Sequence, residues 1–303
     1  MLNVIVLTGP TASGKTVLGI ELALALNGEI VSADARQIYR YMDVGTAKPT
    51  LAEQAKVKHH LIDIVNPDES YNAGQFARDA ALVINDIHRR GKLPIVVGGA
   101  GLYLKALFDG FSPVPEIPES IRQHLQQDAQ KSLPALYHRL QKTDPDWAQK
   151  IQPADTQRII RGLEIFEVSG KTFTHFQNQP RQTVGTWQTK WFGLHWVREA
   201  LYDRINHRAL RMVDQGIIAE VTGLMEMGYH ANLDSLNTFG YKEFIKFLQG
   251  KTTIEAAIGD LQQNTRRYAK RQITWFRTEK RLTWIPFIGE NPLEDILHKI
   301  ERP

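Results

Sequence analysis

A chain of 303 residues without a single cysteine excludes disulfide frameworks, thiolate metal centres and cysteine nucleophiles. Its composition, 42% hydrophobic and 23% charged, is that of an ordinary soluble globular chain. No apolar run approaches the roughly 18–20 residues of a membrane helix, so no membrane partner is expected and a cytoplasmic enzyme is the default. The formal net charge of +4 permits a polyanionic partner without requiring one.

The opening residues MLNVIVLTGP carry no positive n-region and read as a buried first strand, 4–7, rather than as a signal peptide. LTGPTASGKT follows at once and matches G-x-x-x-x-G-K-[ST] in full at Gly9, Gly14, Lys15 and Thr16. A helix is expected over 15–26, then strands at 29–32 and 61–64. An amphipathic helix over 72–90 is stopped by Gly91, and a strand at 94–97 is broken by Gly98-Gly99-Ala100-Gly101. Short β-branched strands separated by helices argue an α/β fold: a P-loop NTPase-like parallel sheet with helices on both faces.

The pattern changes at FSPVPEIPES, where Pro113, Pro115 and Pro118 can continue neither a helix nor a central strand. From there to about Arg181 the chain reads as helical, with Asp144-Pro145 starting one helix and Asp155 or Thr156 capping another. Residues 111–187 are therefore expected to be a helical insertion into a core formed by 1–110 and 188–303. The second part of that core is expected to hold a strand at 191–196 and helices over 199–214, 217–227, 241–248 and 253–278. A strand at 282–286 and a terminal helix close it.

The loop Gly9-Pro10-Thr11-Ala12-Ser13-Gly14-Lys15-Thr16 is built for phosphates. Its glycines let backbone N–H groups point into one concavity, and the positive end of the next helix adds to the field. Lys15 supplies a mobile charge, and Thr16 a hydroxyl of the kind that ligates Mg²⁺. Whose phosphates these are stays open at this level. Nucleotide hydrolases add an acidic residue at the end of a neighbouring apolar strand, but strand 94–97 ends in Gly98-Gly99. Asp63, preceded by His59 and His60, is a poor match; the two histidines fit no metal spacing and read as structural. That weakens a small-molecule kinase or an RNA-stimulated ATPase without removing either.

Asp34 stands at the carboxyl end of the second strand, the edge at which ligands bind in open α/β sheets. It is suited to binding metal, to acting as a general base, or to capping a helix that follows. Asp43 reads as a stabiliser of its own loop, and Lys48 as a residue able to reach an anion.

GPTASGKT, SADARQIYRYMDVGTAKP, HHLID, VVGGAGLYLKAL, DTQRIIRGLE, FGYKE and RRYAKRQITWFR occur in this order from Val4 to Arg277. In that order and spacing the chain resembles the tRNA dimethylallyltransferases, or tRNA isopentenyltransferases, of the IPP transferase family. The resemblance implies transfer of a dimethylallyl group from dimethylallyl diphosphate to N6 of the adenosine immediately 3′ of the anticodon, with Mg²⁺. It implies that Gly9 to Thr16 hold the donor diphosphate, with Arg208 near it, and that Asp34 is the general base at the adenine amine. Asp34, Ala35, Arg36 and Gln37 would meet the target nucleotide. Arg122, Gln157, Arg158, Ile159, Ile160 and Arg161 would meet the anticodon stem-loop, as would Asn237, Thr238, Phe239, Gly240, Tyr241 and Lys242, and Lys270, Arg271, Gln272 and Arg277. Ala100 stands where the family usually has threonine, and Ala35 where serine is usual, which puts the Ala100 contact in doubt.

The chemistry is coherent with the residues. A carboxylate that takes a proton during attack assists a poor amine nucleophile by about 10²–10⁴-fold, and loop amides, Lys15 and Mg²⁺ on Thr16 suit a diphosphate leaving group. An anticodon loop is an inexpensive place to extrude a base. Taken alone, the basic residues Arg266, Arg267, Lys270, Arg271 and Arg277, interleaved with Tyr268, Trp275 and Phe276, read as a solvated helix face; the resemblance makes them an RNA surface. Nothing in the sequence requires a dimer, and a monomer is expected.

Overall fold

The computed structural model describes residues 3–287 and 292–301. Its chain divides into two compact units, Met1–Phe108 with Val184–Pro303, and Asp109–Thr183. Among the described residues no helix is long and apolar enough to cross a membrane.

The first unit opens with β1 (Asn3–Thr8), α1 (Lys15–Ala25), β2 (Gly28–Ser32), α2 (Leu51–Lys56), β3 (His59–His60), α3 (Ala73–Arg89), β4 (Leu93–Val97) and α4 (Gly101–Asp109). The second unit follows with α5 (Glu119–Thr143), α6 (Pro145–Ala148), α7 (Thr156–Ser169) and α8 (Phe173–Gln177). The chain then resumes the first unit with β5 (Gln188–His195), α9 (Arg198–Asp214), α10 (Ile217–Glu226), α11 (Lys242–Leu248), α12 (Ile254–Phe276), β6 (Leu282–Pro286) and α13 (Leu293–Glu301).

The strands form one six-stranded sheet in the order β3-β2-β4-β1-β5-β6, and every pairing is parallel. The apolar runs are continuous because both sheet faces are covered. Ile5, Leu7, Ile30, Ile95, Val97, Phe192 and Leu194 share a core with Leu18 and Leu22 of α1 and Ile296 of α13. Their strand neighbours Val4, Val6, Val31 and Val96 alternate with them and are just as buried. A second core joins the buried faces of α9, α10, α11 and α12 to Ile38, Tyr39 and Met42. The second unit is an all-helical cluster around Leu125, Leu140, Ile159 and Leu163.

Local signals explain most boundaries. Asn72 and Gln75 form a capping box at the start of α3, and Asp155 caps α7 by accepting from the Arg158 N–H. Three features depart from the sequence reading. The third strand is His59–His60 rather than 61–64, because Leu61 and Asp63 take left-handed φ angles of 61° and 56° and cannot extend it. Helix α2, which the sequence reading left unassigned, is nucleated by a Thr50–Glu53 capping box. The long α5 is two helices joined at Ser132, whose φ/ψ of −159°/92° accommodates Pro134 two residues on.

The two ends of the sheet differ in chemistry. Near its amino end, Glu29 is 2% exposed and accepts from Arg90, Lys92 and the His60 ring. The Arg90 guanidinium, followed by His60 and Lys92, holds the Glu29 carboxyl well below the usual carboxylate range against the opposing effect of burial. This confirms the structural reading of His60, and the His59 ring is turned onto the Val57 carbonyl. Glu29→Gln should cost about 1–3 kcal/mol, because it removes the buried charge that Arg90 and Lys92 share, although Arg90, itself partly solvated, keeps Asp86 at 3.0 Å. Since the folded carboxyl is depressed, the wild-type advantage is complete above about pH 4.5 and disappears as pH falls below it. Thermal unfolding of both forms across that range checks this.

Candidate active site

The carboxyl ends of β1, β2, β4 and β5 converge, and the loops leaving them build one cavity of about 880 Å³ within the first unit. The loop after β1 supplies Thr11 to Thr16, and the turn after β2 supplies Asp34, Arg36 and Gln37. Gly99 comes from the end of β4. Helix α9 adds Arg204, His207, Arg208 and Arg211, and Thr238, Phe239, Tyr268 and Gln272 complete the wall together with the loop 43–50.

The phosphate loop is held from outside. Ala12 and Gly14 sit at left-handed φ angles of 64° and 94°, which turns successive peptide groups the same way. The Ala12 carbonyl accepts from Arg204 Nε at 2.9 Å, and the Ser13 carbonyl from Trp196 Nε1 at 3.0 Å. Arg204 in turn lies 4.5 Å over the Trp196 ring. With these carbonyls pinned outward, the amides of Gly14, Lys15 and Thr16 have no acceptor among the described residues. They open a concavity that suits an anion.

Gln272 closes the other side of the loop. Its Oε1 accepts from the Thr11 N–H at 2.8 Å and its Nε2 donates to the Gly99 carbonyl at 3.0 Å. A Cβ at Gly99 would lie 2.3 Å from Gln272 Nε2, so a larger residue there would have to displace the Gln272 amide. Gln272 thus ties the phosphate loop to the Gly98-Gly99 turn.

Of the charged side chains that line the cavity, Lys15, Arg208 and Asp34 act directly on one another beside the phosphate loop. Lys15 Nζ donates to the Pro10 carbonyl at 2.7 Å. Removal from water lowers its pKa to about 8, Asp34 opposing and Arg208 reinforcing the shift. Arg208 Nη1 donates to Thr11 Oγ1 at 3.1 Å, while its buried Nε has no partner. Desolvation lowers this guanidinium to about 10, against the pull of Asp34, so it stays charged at neutral pH. A buried, unpaired arginine donor beside unpaired amides is costly unless an anion satisfies it. Asp34 Oδ1 accepts from the Arg36 and Gln37 amides at 2.8 and 3.3 Å. Asp34 Oδ2 has no hydrogen-bond partner among the described residues, so the carboxylate caps its turn with one oxygen and keeps the other for the cavity.

The remaining residues singled out in the sequence fall into three groups. Phe239 and Tyr268 pair at 4.8 Å between ring centres, with the Arg271 guanidinium 5.7 Å from the Tyr268 ring. The Ala100 N–H is used on the Ala33 carbonyl, and Ala35 lies within the turn that Asp34 caps. Arg267, Lys270, Arg271 and Arg277 are exposed on or just after α12, with no acidic partner among the described residues, and Asn237 is exposed as well. Tyr241 is wholly buried, as are Gly240 and Thr238, and Lys242 is half-buried.

In the helical unit, Arg122 and Arg161 both bind the buried Glu164 carboxylate, at 3.0 and 3.2 Å. Gln157 and Arg158 are exposed, whereas Ile159 and Ile160 pack inside. Lys48 is not available to an anion: its buried ammonium is committed to Asp43, Asp63 and the Tyr39 carbonyl. Trp196 and Arg204 escaped the sequence reading. Arg204 lies one helical turn before Arg208, a spacing that puts both on one face, and Trp196 directly follows the carboxyl end of β5.

The family model described as IPP transferase matches residues 37–279. The tRNA dimethylallyltransferase 1 of Syntrophotalea carbinolica is 44% identical over 95% of this chain and 92% of its own length. The tRNA dimethylallyltransferase of Geobacter sulfurreducens is 43% identical over 94% of this chain and 92% of its own. Among solved structures, the tRNA isopentenylpyrophosphate transferase of Bacillus halodurans superposes with a TM-score of 0.73 at 38% identity, covering 99% of this chain and 96% of that one. A eukaryotic dimethylallyltransferase acting on tRNA superposes with a TM-score of 0.83 at 29% identity, covering 99% and 78%.

The Lys15 environment makes a pH-dependent expectation. Below about pH 8 the ammonium is already charged; above it, binding an anion must also take up a proton. The affinity for inorganic diphosphate, measured as a ratio to that of Lys15→Met, should fall above pH 8 by up to about tenfold per unit. A ratio independent of pH would contradict a direct lysine–anion contact.

Proposed function

The chain belongs to the IPP transferase family, the tRNA dimethylallyltransferases, and from that premise we propose which of its groups carry the reaction. The protein transfers a dimethylallyl group to a tRNA adenosine; neither a small-molecule kinase nor an RNA-stimulated ATPase is favoured by its relatives. The proposed donor is dimethylallyl diphosphate, and the proposed acceptor is N6 of the adenosine immediately 3′ of the anticodon. The observation that carries this reading is the convergence, in one cavity, of unpaired loop amides, the unpaired Arg208 Nε and a carboxylate with one free oxygen.

In the proposed reaction the N6 amine attacks the donor's allylic carbon as the carbon–oxygen bond to diphosphate breaks. Asp34 Oδ2 receives the amine proton, while Oδ1 keeps the carboxylate in place through the Arg36 and Gln37 amides. The leaving diphosphate is held by Gly9 to Thr16, with charge supplied by Lys15 and Arg208. These groups are already oriented, so little reorganisation opposes the build-up of charge. No covalent enzyme intermediate is needed.

The Thr16 hydroxyl has no hydrogen-bond partner among the described residues, and no cluster of three metal-ligating side chains occurs among them. That donor set fits Mg²⁺, which keeps waters and takes phosphate oxygens rather than an all-protein cage. Bound at Thr16, Mg²⁺ would neutralise charge on the diphosphate.

The tRNA side of the proposal has three parts. Phe239 and Tyr268 offer ring faces to an extruded base. Lys270, Arg271 and Arg277 meet backbone phosphates, with Asn237 and Lys242 flanking Phe239 in the sequence. In the helical unit Gln157, Arg158, Arg161 and Arg122 contact the anticodon stem-loop, with Ile159 and Ile160 acting through packing. Thr238, Gly240, Tyr241 and Gln272 contribute by shaping the wall, and Ala100 forgoes the hydroxyl usual in the family. The proposal takes the enzyme as a monomer that acts on its tRNA in the cytoplasm.

Incubation of an anticodon stem-loop with enzyme, Mg²⁺ and dimethylallyl diphosphate should add one dimethylallyl group to that adenosine, read by mass analysis. Asp34→Asn preserves the Oδ1 acceptor and the turn, so it should reduce turnover by about 10²–10⁴-fold while stem-loop affinity stays the same. Near-normal turnover would remove Asp34 as the base.

A further inference from the structure

The cavity wall formed by residues 43–50 contains neither helix nor strand, yet it is tightly determined. Three consecutive backbone N–H groups, those of Asp43, Val44 and Gly45, converge on the Glu220 carboxylate at 2.9, 2.7 and 3.1 Å. Successive amides curled around an anion form a nest, and here the anion is a side chain of α10. The Tyr241 hydroxyl donates to the same carboxylate at 2.7 Å. Oε2 thus serves Asp43 and Val44, and Oε1 serves Gly45 and Tyr241, which fills the four acceptor positions of a carboxylate.

Packing reinforces the polar match. A Cβ on Gly45 would lie 2.4 Å from the Tyr241 ring, and one on Gly240 would lie 2.9 Å from the Gly45 carbonyl oxygen. Gly240, at φ 98°, is held in turn by Glu243, which accepts its N–H at 2.9 Å. Neither Glu220 nor Tyr241 lines the cavity. The far side of the loop is joined to the reacting centre: Gln37 Nε2 donates to the Ala47 carbonyl at 3.1 Å, and the Gln37 N–H donates to Asp34 Oδ1.

We infer that Glu220 is a positioning residue of the transferase, which fixes loop 43–50 through the Asp43–Gly45 amides and, through Ala47 and Gln37, sets the attitude of Asp34. Tyr241 is its buried partner, so FGYKE serves the reaction by holding the opposite wall rather than by touching RNA at Tyr241. The inference rests on the reading of Asp34 as the base.

Glu220→Gln tests it, because the amide keeps the shape but turns an NH₂ toward backbone donors. The kcat should fall about tenfold to a hundredfold, the size expected of a small misplacement at a reacting centre. Inhibition by inorganic diphosphate should stay within about threefold of wild type, since the phosphate loop is untouched. Amide hydrogen exchange should accelerate at Asp43, Val44 and Gly45. Tyr241→Phe keeps the carboxylate and should show a milder loss of the same kind, and it carries the test if Glu220→Gln does not fold. The double variant should lose little more than Glu220→Gln alone, as one network requires. A kcat like wild type, or a loss of diphosphate binding in the same proportion as kcat, overturns the inference. A crippled Asp34→Asn beside a normal Glu220→Gln overturns this inference and leaves the base in place. A normal Asp34→Asn removes the base and with it the route through Gln37.

Discussion

The phosphate loop can receive an anion only because its carbonyls face away from the site and are held there. Arg204 and Trp196 clasp the Ala12 and Ser13 carbonyls, while Gln272 takes the Thr11 amide and reaches back to Gly99. Each such bond is worth only about 0.5–1.5 kcal/mol net, but together they select one peptide orientation among several. The amides left over, with Lys15 partly stripped of water and Arg208 lacking a partner for Nε, form a site whose electrostatic demand only an anion meets. The parallel sheet matters because it delivers β1, β2, β4 and β5 with their carboxyl ends together. The phosphate loop, the Asp34 turn and Trp196 thereby leave from one edge, while Arg204 and Gln272 reach it from α9 and α12.

A division of labour runs along that edge. Asp34 both caps its turn and keeps an oxygen free, so the structural and functional readings of this residue are not alternatives. Gln272 and Tyr241 look from the sequence like parts of an RNA surface. In the structure the first is a brace between two loops and the second a buried hydroxyl that completes a carboxylate's shell. Residues that recur in such motifs include those that hold contacting loops in place, and burial distinguishes the two kinds.

The sheet order could not be read from the sequence, but the parallel α/β class could, because strands buried on both faces are written as unbroken β-branched runs. The phosphate loop was legible because it is contiguous and sits between a strand and a helix. The brief third strand was misplaced by two residues, since apolar content pointed to 61–64 while left-handed Leu61 and Asp63 ended it early. Lys48 reads from the sequence as able to reach an anion because a lysine in a polar loop is usually exposed; its two carboxylate partners lie 5 and 15 residues away, and only folding brings both to it. Glu220 left no trace at all. A glutamate in the first turn of a helix is unremarkable in sequence, and its three backbone partners lie some 175 residues earlier in the chain.

The central claim is that the phosphates held by GPTASGKT belong to the allylic donor rather than to a nucleotide. The loop itself reads only phosphate oxygens, so discrimination must come from the rest of the cavity, where an adenine edge left without partners would lose about 1–3 kcal/mol per unpaired group. The most direct measurement is displacement of radiolabelled dimethylallyl diphosphate by unlabelled competitors in Mg²⁺. Inorganic diphosphate should displace it readily, ATP should displace it poorly, and no phosphate should be released from ATP. Displacement by ATP at concentrations comparable to the donor, with release of phosphate, would contradict the account.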